Sequence, residues 1–325
     1  MNSTHISVLT KIPLLLQELT LILPKINFKE VKTVTDPLLK QSEIIICDYD
    51  LIAPVLNDLP NTKWIQGTWA GVDKLLPSVN QQKPLPFIIT RFSGKHFGRM
   101  MSEYVISQIV SHERSFEQIN MNQKESLWNQ DGKFSEFRVI SDLNVGVMGL
   151  GQIGSWVVQI LNMLGASVFG FGRKSDPDVA IKPYLNEYFT NTNTNLVDFL
   201  KKCDYVINIL PNTVETKGLL SGGVLKNCKD RNAVFINIGR GSIISDEDLI
   251  EAMNKKWLSA AILDVFNTEP LPKESPLWKL PQVKITPHIS APSRAKDIAE
   301  QFKENYHQYK NNGNLSAVLN IISGY

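Results

Sequence analysis

A glycine-rich turn at residues 149–154 is the feature that most restricts the folds open to this chain. The turn reads Gly-Leu-Gly-Gln-Ile-Gly and follows the apolar run 145–148, which has the pattern of a buried strand. Apolar residues then recur at helical spacing from Ile153 to Leu164, as in a helix that packs one face on a sheet. A strand, a G-x-G-x-x-G turn and a helix in this order predict a dinucleotide-binding βαβ unit.

Each glycine of this turn has its own role in the prediction. Gly149 permits the tight turn, Gly151 lets the backbone approach a pyrophosphate, and Gly154 lets helix and strand pack closely. Gln152 and Ile153 open the helix, whose free amide groups and positive end attract phosphate. The alternative is a glycine turn that only joins a strand to a helix.

Apolar runs without polar alternation recur along most of the chain. They predict strands that are buried on both faces, hence an α/β fold with mostly parallel sheets covered by helices. The runs lie at residues 44–47, 145–148, 168–171, 205–210, 233–238, 260–265 and 283–286. A helix is also predicted after Ser245, a good N-cap, with basic residues at its far end. Residues 1–90 form a separate α/β pattern without the glycine turn, which predicts a second domain.

Composition excludes several classes of protein. The 325 residues are 43% hydrophobic, enough for about two domains, and a formal charge of +2 argues against a nucleic-acid partner. No apolar stretch reaches the ~18 residues of a membrane span, and the start of the chain lacks the pattern of a leader peptide. Three scattered cysteines fit a reducing compartment, so we expect a cytoplasmic protein without a membrane partner. No metal site is predicted.

The residues after the second strand of the βαβ unit bear on the choice of nucleotide. An acidic residue usually accepts the ribose hydroxyls of NAD at this place, but the chain has Arg173, followed by Lys174 and Ser175. A guanidinium beside a hydroxyl offers donors to a 2′-phosphate, which favours NADP(H) over NAD(H). The alternative is that Arg173 and Lys174 are solvated loop charges.

Three charged or titratable residues follow successive strands of the predicted sheet, namely Arg240, Glu269 and His288. Ligands of parallel sheets bind beyond the carboxyl ends of the strands, so these side chains can converge. Arg240 can hold a carboxylate and polarise a carbonyl, while His288 can protonate the oxygen as hydride arrives. Glu269 can stabilise the protonated imidazole near neutral pH. Singly, they could be a turn residue, a solvated loop residue and a buried imidazole, but their joint placement favours catalysis.

These residues lie in stretches that resemble the D-isomer-specific 2-hydroxyacid dehydrogenase family over nearly the whole chain. The stretches are Asn237-Ile238-Gly239-Arg240-Gly241, Asp264-Val265-Phe266-Asn267-Thr268-Glu269-Pro270 and Thr286-Pro287-His288. The resemblance implies that Arg240 binds substrate, that Glu269 pairs with His288, and that His288 is the acid and base. Together with Arg173, the Thr68-Trp69-Ala70-Gly71 and Pro287-His288-Ile289-Ser290 stretches look most like the glyoxylate and hydroxypyruvate reductase branch.

Other matches to the family are shorter. Trp69-Ala70-Gly71-Val72-Asp73 resembles the loop whose backbone amides hold the substrate carboxylate, and Ser102-Glu103-Tyr104 resembles the start of the crossover helix. Asp264 matches a residue near the nicotinamide amide and Pro211 a turn lining the cofactor. Ile238 and Ser290 are assigned to the cofactor with them.

The resemblance also implies a domain organisation and an assembly. It implies two Rossmann-like domains, with a cofactor domain at residues 101–292 inserted in a substrate domain formed by residues 1–100 and 293–325. A homodimer is expected, and residues 120–138, which carry Trp128, Phe134 and Phe137, are either a surface loop or an arm buried in another subunit.

The predicted activity is hydride transfer between NADPH and a small 2-keto acid such as glyoxylate or hydroxypyruvate, giving the D-2-hydroxy acid. One alternative is a nucleotide-sensing scaffold that resembles corepressors of this fold, although all three catalytic residues are present. Another is a formate-type dehydrogenase, which the glutamate at position 269 disfavours because variants resembling that activity carry glutamine there. The side chain of the keto acid and the direction in the cell stay open, because one methylene changes discrimination by only ~1–3 kcal/mol.

Overall fold

The computed structural model describes residues 5–80 and 85–321, in which the chain divides into two compact units. One unit consists of Met1–Phe97 and Pro292–Tyr325, and the other of Gly98–Ala291. The second unit therefore lies between two segments of the first along the chain. Residues 1–4, on which the argument against a leader peptide partly rests, lie outside the described residues. The division of cofactor and substrate binding between the units stays a prediction.

The first unit is built on a five-stranded parallel sheet in the order β2-β1-β3-β4-β5, counted over the described residues. Its strands are β1 Ile6–Leu9, β2 Phe28–Glu30, β3 Ile44–Cys47, β4 Trp64–Gly67 and β5 Ile88–Thr90. Only β3 was predicted. Polar residues interrupt β1 and β4 but are fully buried and satisfied, since Ser7 pairs with Ser42 at 2.7 Å and Gln66 donates to Gly67 O at 2.8 Å.

The second unit is built on a seven-stranded parallel sheet in the order β12-β11-β10-β9-β6-β7-β8, again over the described residues. Its strands are β6 Asn144–Met148, β7 Ser167–Gly172, β8 Glu187–Thr190, β9 Tyr205–Asn208, β10 Val234–Asn237, β11 Ala260–Leu263 and β12 Val283–Ile285. The six apolar runs predicted here are all strands. The edge strand β8 was missed because only Phe189 of its four residues is buried.

The strand order of the second sheet reverses between β6 and β9, and this reversal creates a crevice at the carboxyl ends of these two strands. The chain runs outward from β6 through β8 on one side and from β9 through β12 on the other. Loops that leave β6 and β9 therefore diverge, and ligands of doubly wound sheets bind at such a point. The predicted fold class, α/β with two parallel sheets interleaved with helices, is confirmed.

The helix after the glycine turn and the helix after Ser245 were predicted, whereas the crossover helix begins at Lys95 and not at Ser102. The helices are α1 Leu15–Ile22, α2 Pro37–Gln41, α3 Tyr49–Ile52, α4 Lys95–Glu113, α5 Phe116–Lys124, α6 Gln152–Met163, α7 Asn193–Lys202, α8 Asp246–Asn254 and α9 Ala295–Lys310. Single turns of 3-10 helix occupy Ala53–Val55, Leu76–Ser78, Gly132–Phe134, Ile140–Asp142, Lys182–Tyr184, Gly241–Ile243 and Pro276–Lys279, and a longer one occupies Val224–Arg231. Ser245 caps α8 as predicted, its hydroxyl accepting from Asp248 N at 3.0 Å.

The segment 120–138 also departs from its prediction. Residues 120–124, interpreted as part of a loop or arm, belong to α5, and only residues 125–138 are largely irregular. The helix was missed because its apolar residues are exposed rather than facing a core, so the expected periodicity is weak. Over the described ranges, no helix combines the length and apolarity that crossing a lipid bilayer requires.

Candidate active site

The glycine turn between β6 and α6 has the geometry of a close strand-to-helix connection. Gly149 has a φ of 100°, a left-handed conformation that favours glycine. A Cβ atom at Gly154 would lie 1.9 Å from the carbonyl oxygen of Gly149, so any side chain there would force the helix away from the turn. Both residues are therefore required by the fold of the turn itself.

Gly151 differs from these two glycines because the protein itself does not require it. Its φ is −76°, and a Cβ atom there would meet nothing within 4 Å. The space in front of its backbone, at the N-terminus of α6, is open, and Gln152 and Ile153 begin the helix beside it. A pyrophosphate fits this cradle, since the helix end supplies amide donors and a positive potential.

The loop after β7 carries the residues predicted to choose between nucleotides. Arg173, Lys174 and Ser175 are all exposed. Lys174 forms an ion pair with Asp178, and its carbonyl accepts the hydroxyl of Tyr188 at 2.8 Å. The pKa of Glu215 is lowered by hydrogen bonds with its own backbone and Thr213, and further by the positive charge of Arg173. An acidic side chain, which the sequence did not indicate, therefore lies within electrostatic reach of Arg173.

The loops after β11 and β12 bring Glu269 and His288 together as predicted from the sequence. His288 Nδ1 lies 2.7 Å from Glu269 Oε2, and the second carboxylate oxygen of Glu269 accepts the amide of Phe266 at 2.9 Å. An ionised carboxylate only accepts, so Nδ1 carries the hydrogen in this pair. The imidazole is thus oriented through Nδ1, which leaves Nε2 as the nitrogen able to exchange a proton with a substrate.

Arg240 lies at the end of β10 between two closely packed glycines. A Cβ atom at Gly239 would lie 2.7 Å from the carbonyl oxygen of Leu210, and one at Gly241 would lie 2.0 Å from the backbone of Phe266. The loop that carries Arg240 is thereby pressed against the loop that leads to Glu269. Arg240 is partly buried, and its guanidinium donates to Gly239 O at 2.6 Å. The carboxyl-terminal edge of one sheet thus carries a cation, an imidazole and a carboxylate.

Two buried asparagines that the sequence analysis did not single out support the Arg240 loop. Asn208 donates to the side chain of Asn237 at 2.8 Å, and Asn237 donates to Arg240 O at 3.1 Å while accepting from Gly239 N at 3.3 Å. Both asparagines are almost fully buried. An amide that ends an otherwise apolar strand was the available signal, because a buried polar side chain needs partners.

The remaining residues assigned to the cofactor line the same edge of the second sheet. Ile238 is buried, and Pro211 O accepts the hydroxyl of Thr216 at 2.6 Å in the turn after β9. Asp264 is fully buried, and its two carboxylate oxygens accept bonds from the backbone amides of Ile289 and Ser290. Asp264 therefore fixes the chain around His288, a role that the sequence did not predict.

The loop assigned to the substrate belongs to the first unit and is held rigidly there. Thr68 precedes Trp69 and donates its hydroxyl to Asp48 at 2.6 Å. Trp69 O accepts from Phe92 N at 3.1 Å, and Ala70 O accepts from Arg91 at 3.2 Å. Both bonds use carbonyl oxygens of the loop and leave its backbone amides available as donors. Asp48 was not predicted, although an aspartate directly after an apolar strand is a usable signal.

One cluster with metal-binding residue types occurs among the described residues. The ring nitrogens of His96 lie 3.5 Å from Asp297 Oδ1 and 3.5 Å from Glu300 Oε2. Each carboxylate faces a different nitrogen of the ring, which suits an imidazole between two carboxylates better than three ligands around one ion. The absence of a metal site stays a prediction.

Comparison with known proteins gives a family for this architecture. The family model "D-isomer specific 2-hydroxyacid dehydrogenase, NAD binding domain" matches residues 106–290. The matched range contains the glycine turn and the Arg240, Glu269 and His288 loops. It covers more than half of the chain.

Relatives and solved structures point the same way. The chain is 33% identical over 261 residues to the glyoxylate/hydroxypyruvate reductase A of Escherichia fergusonii, covering 79% of this chain and 80% of the relative. The reductase A of Citrobacter koseri is 31% identical with the same coverage. A D-isomer specific 2-hydroxyacid dehydrogenase from Xanthobacter autotrophicus, solved in complex with NADPH and MES, superposes with a TM-score of 0.82 at 26% identity, covering 99% of this chain and 100% of that one.

Proposed function

The chain belongs to the D-isomer specific 2-hydroxyacid dehydrogenase family, and we propose that it reduces glyoxylate, hydroxypyruvate or a similar small 2-keto acid with NADPH. The family and the bound ligands of its solved neighbours support a nicotinamide cofactor. The observation that carries the proposal is the 2.7 Å contact between His288 Nδ1 and Glu269 Oε2, on loops adjoining the Arg240 loop. The relatives named as glyoxylate/hydroxypyruvate reductases support the choice of substrate.

His288 is the proposed general acid of the reduction. Glu269 accepts the Nδ1 hydrogen and stabilises the imidazolium, so the Nε2 hydrogen is available to the carbonyl oxygen of the keto acid. In the reverse direction the neutral imidazole accepts that proton from the hydroxyl group through Nε2. Glu269 stays ionised throughout and acts by charge and by orientation.

Arg240 is the proposed partner of the substrate. Its planar fork can hold a carboxylate through two parallel hydrogen bonds and place positive charge beside the carbonyl oxygen as negative charge develops there. The asparagine pair and the flanking glycines position its backbone before substrate binds. Trp69, Ala70 and Gly71 keep the carboxylate-binding role that the resemblance implies.

The proposed cofactor residues form a backbone cradle and a charged loop. Gly149, Gly151 and Gly154, with the α6 amides, would hold the pyrophosphate, and Arg173, Lys174 and Ser175 would hold the 2′-phosphate. The bound nicotinamide supplies the hydride. Pro211, Ile238, Asp264 and Ser290 complete the proposed set. Preference for NADP(H) over NAD(H) rests on Arg173, because this arginine stands at the position where an acidic residue usually accepts the ribose hydroxyls of NAD.

Two further parts of the proposal concern the compartment and the oligomeric state of the protein. We assign the protein to a reducing compartment, the cytoplasm, because its three cysteines, Cys47, Cys203 and Cys228, are free and buried. A homodimer is proposed because large apolar side chains are exposed along α5 and just beyond it, including Leu127 at 60% and Trp128 at 90%.

Turnover by the purified chain tests the proposal directly. NADPH oxidation is measured with glyoxylate, hydroxypyruvate, pyruvate and a longer 2-keto acid, and then with NADH. We expect glyoxylate and hydroxypyruvate to give the highest kcat/KM and NADPH to be preferred. Binding of NADPH without turnover of any keto acid would contradict the proposal and support the alternative of a nucleotide-sensing scaffold.

A further inference from the structure

A directed chain of hydrogen bonds leads from helix α4 to the loop that carries His288. The hydroxyls of Tyr104 and Thr286 lie 2.7 Å apart, and Thr286 Oγ1 donates to Asp264 Oδ1 at 2.5 Å. An ionised carboxylate accepts only, so the hydrogen of Thr286 points to Asp264. Thr286 must then accept from Tyr104, and the direction of every bond in the chain is fixed.

Asp264 in turn accepts hydrogen bonds from the backbone around His288. Its carbonyl oxygen accepts His288 N at 2.9 Å, its Oδ1 accepts Ile289 N at 2.9 Å, and its Oδ2 accepts Ser290 N at 3.0 Å. Three successive amides are thus bound to one residue. His288 has a φ of 55°, which is unfavourable for a residue with a Cβ atom and persists only where surrounding contacts impose it.

The carboxylate of Asp264 needs its donors because it has no exposure to solvent. A buried charge is costly unless hydrogen bonds replace its lost hydration. Thr286 is one of three donors, and its own oxygen accepts the hydroxyl hydrogen of Tyr104. Tyr104 belongs to a different element from the catalytic loops.

We propose that Tyr104 and Thr286 are positioning residues for His288, acting through the buried carboxylate of Asp264. The inference rests on the proposed function, in which His288 is the general acid. The relay fixes the carboxylate that binds the amides of Ile289 and Ser290, and so keeps the imidazole of the preceding residue, His288, against Glu269. Neither hydroxyl needs to touch substrate or cofactor for this role.

Tyr104 stays a donor over the whole working range of pH. Burial raises the pKa of its hydroxyl to about 12, the charge of Asp264 adds to this effect, and the bond with Thr286 acts in the opposite direction. The phenol therefore remains protonated wherever the enzyme is assayed, so the relay itself does not titrate. Any change in pH dependence after its removal must arise at the group that it positions.

Four variants separate this role from a general loss of stability. Tyr104→Phe and Thr286→Val each remove one hydroxyl of the relay while keeping its shape, whereas Thr286→Ser keeps the hydroxyl. Tyr205→Phe is the matched control, because the hydroxyl of Tyr205 also bonds to another side chain, donating to Glu113 of α4 at 2.7 Å, but has no hydrogen bond to the His288 loop.

Two measurements are made on each variant. In kinetics, Tyr104→Phe and Thr286→Val are expected to lower kcat for reduction about three- to tenfold, the loss typical of one hydrogen bond. The kcat–pH profile, which a purely structural role would leave unchanged, should differ from that of the wild type in both variants. In hydrogen exchange, the amides of Ile289 and Ser290 should exchange faster. Thr286→Ser and Tyr205→Phe should leave the pH profile and these amides unchanged.

The outcomes distinguish this inference from the proposed function. An active wild type whose pH profile and amide exchange are unaffected by both Tyr104→Phe and Thr286→Val overturns the inference and leaves the function standing. Equal shifts in Tyr205→Phe also overturn it, since the effect would then be one of stability. A wild type without turnover contradicts the proposed function. Faster amide exchange confined to Ile289 and Ser290 in Tyr104→Phe and Thr286→Val would still support the relay.

Discussion

His288 and Glu269 are joined by a 2.7 Å contact between Nδ1 and Oε2, although nineteen positions separate them in the chain. The contact is made at the surface of the second unit, where the side chains retain 52% and 36% of their exposure. An exposed pair contributes little to folding stability, with a typical value of ~0–1 kcal/mol. The arrangement is therefore better explained by the chemistry of the imidazole than by stability.

This pair gives the first prediction. His288→Ala should lower kcat for keto acid reduction by about 10²–10⁴-fold, because a positioned general acid contributes that much. Glu269→Gln keeps the size of the side chain but loses its charge, so kcat should also fall, because the imidazolium of His288 loses its charged partner. Stopped-flow and steady-state assays between about pH 5 and 8, where proteins tend to be most stable, measure both effects.

NADPH affinity is the control for these two variants. Neither residue is assigned to the phosphates, so fluorescence titration should give a Kd close to that of the wild type. A His288→Ala enzyme with unchanged kcat would remove His288 from the mechanism.

Arg240 gives the second prediction. Arg240→Lys preserves the charge but loses the planar fork, so kcat/KM for the keto acid should fall about tenfold or more while KM for NADPH stays unchanged. Arg231→Lys is a matched control, since Arg231 lies in the same unit and pairs with Asp204. An equal effect in the two variants, or none in Arg240→Lys, would contradict the assignment of Arg240 to the substrate.

How much of this site was accessible from sequence depends on the kind of interaction. The pairing of Glu269 with His288 was predictable because each follows an apolar strand, and parallel strands place their carboxyl ends at one edge. The roles of Gly149 and Gly154 were predictable because each glycine meets a local steric requirement. These signals lie within a few residues of one another or at the ends of regular elements.

The interactions that were missed join residues without a shared pattern. Thr286 and Tyr104 are separated by 182 positions, and nothing in the spacing of a threonine and a tyrosine indicates that they bond. Asp48 and Thr68 are likewise brought together only by the pairing of β3 with β4. Helix α5 was missed because its apolar residues are exposed and do not pack on the core, so they give no helical periodicity.

The exposed apolar residues of α5 and the loop after it give the third prediction. Trp128→Glu should convert a homodimer to a monomer at micromolar concentration, since a charge at the centre of an apolar interface is left without a partner. Val214→Glu is the control, because Val214 is 93% exposed in the same unit but lies far along the chain. Sedimentation velocity gives the answer, and a monomeric wild type would rule out the dimer.

His112 gives the fourth prediction, which concerns stability rather than activity. Burial lowers the pKa of His112, with smaller downward effects from Lys284, Arg138 and Lys133 and an upward effect from Glu113. The folded state therefore favours the neutral imidazole, and its contribution to stability is full above the ordinary value of 6.5 and is lost as pH falls below it. Urea unfolding between pH 7.5 and about pH 5 should show a steeper loss in the wild type than in His112→Gln. His307→Gln, at an exposed position on α9, should behave as the wild type.

The last prediction concerns cofactor choice, which depends on the balance of charge around Arg173. Arg173→Asp removes a cation from the proposed 2′-phosphate site and adds a carboxylate that repels the phosphate. Since charge-assisted hydrogen bonds are worth ~1.5–3 kcal/mol, the ratio of kcat/KM for NADPH to that for NADH should fall by roughly one to two powers of ten.

Glu215→Gln makes the opposite change in charge near Arg173. Together with Arg173→Asp, it decides whether Arg173 acts on the 2′-phosphate. Hydrogen bonds with its own backbone and with Thr213 lower the pKa of Glu215 most, and the charge of Arg173 lowers it further, so Glu215 shares the attraction of the guanidinium that a phosphate would use. Glu215→Gln should therefore raise the NADPH to NADH ratio, while Arg173→Asp lowers it. Lys182→Asp is the control, because it makes a similar charge change nearby at a residue that pairs with Asp176. If the ratio moves equally in Lys182→Asp, the effect is one of overall charge. If it moves in neither Arg173→Asp nor Glu215→Gln, Arg173 is a solvated loop residue and the preference for NADP(H) lies elsewhere.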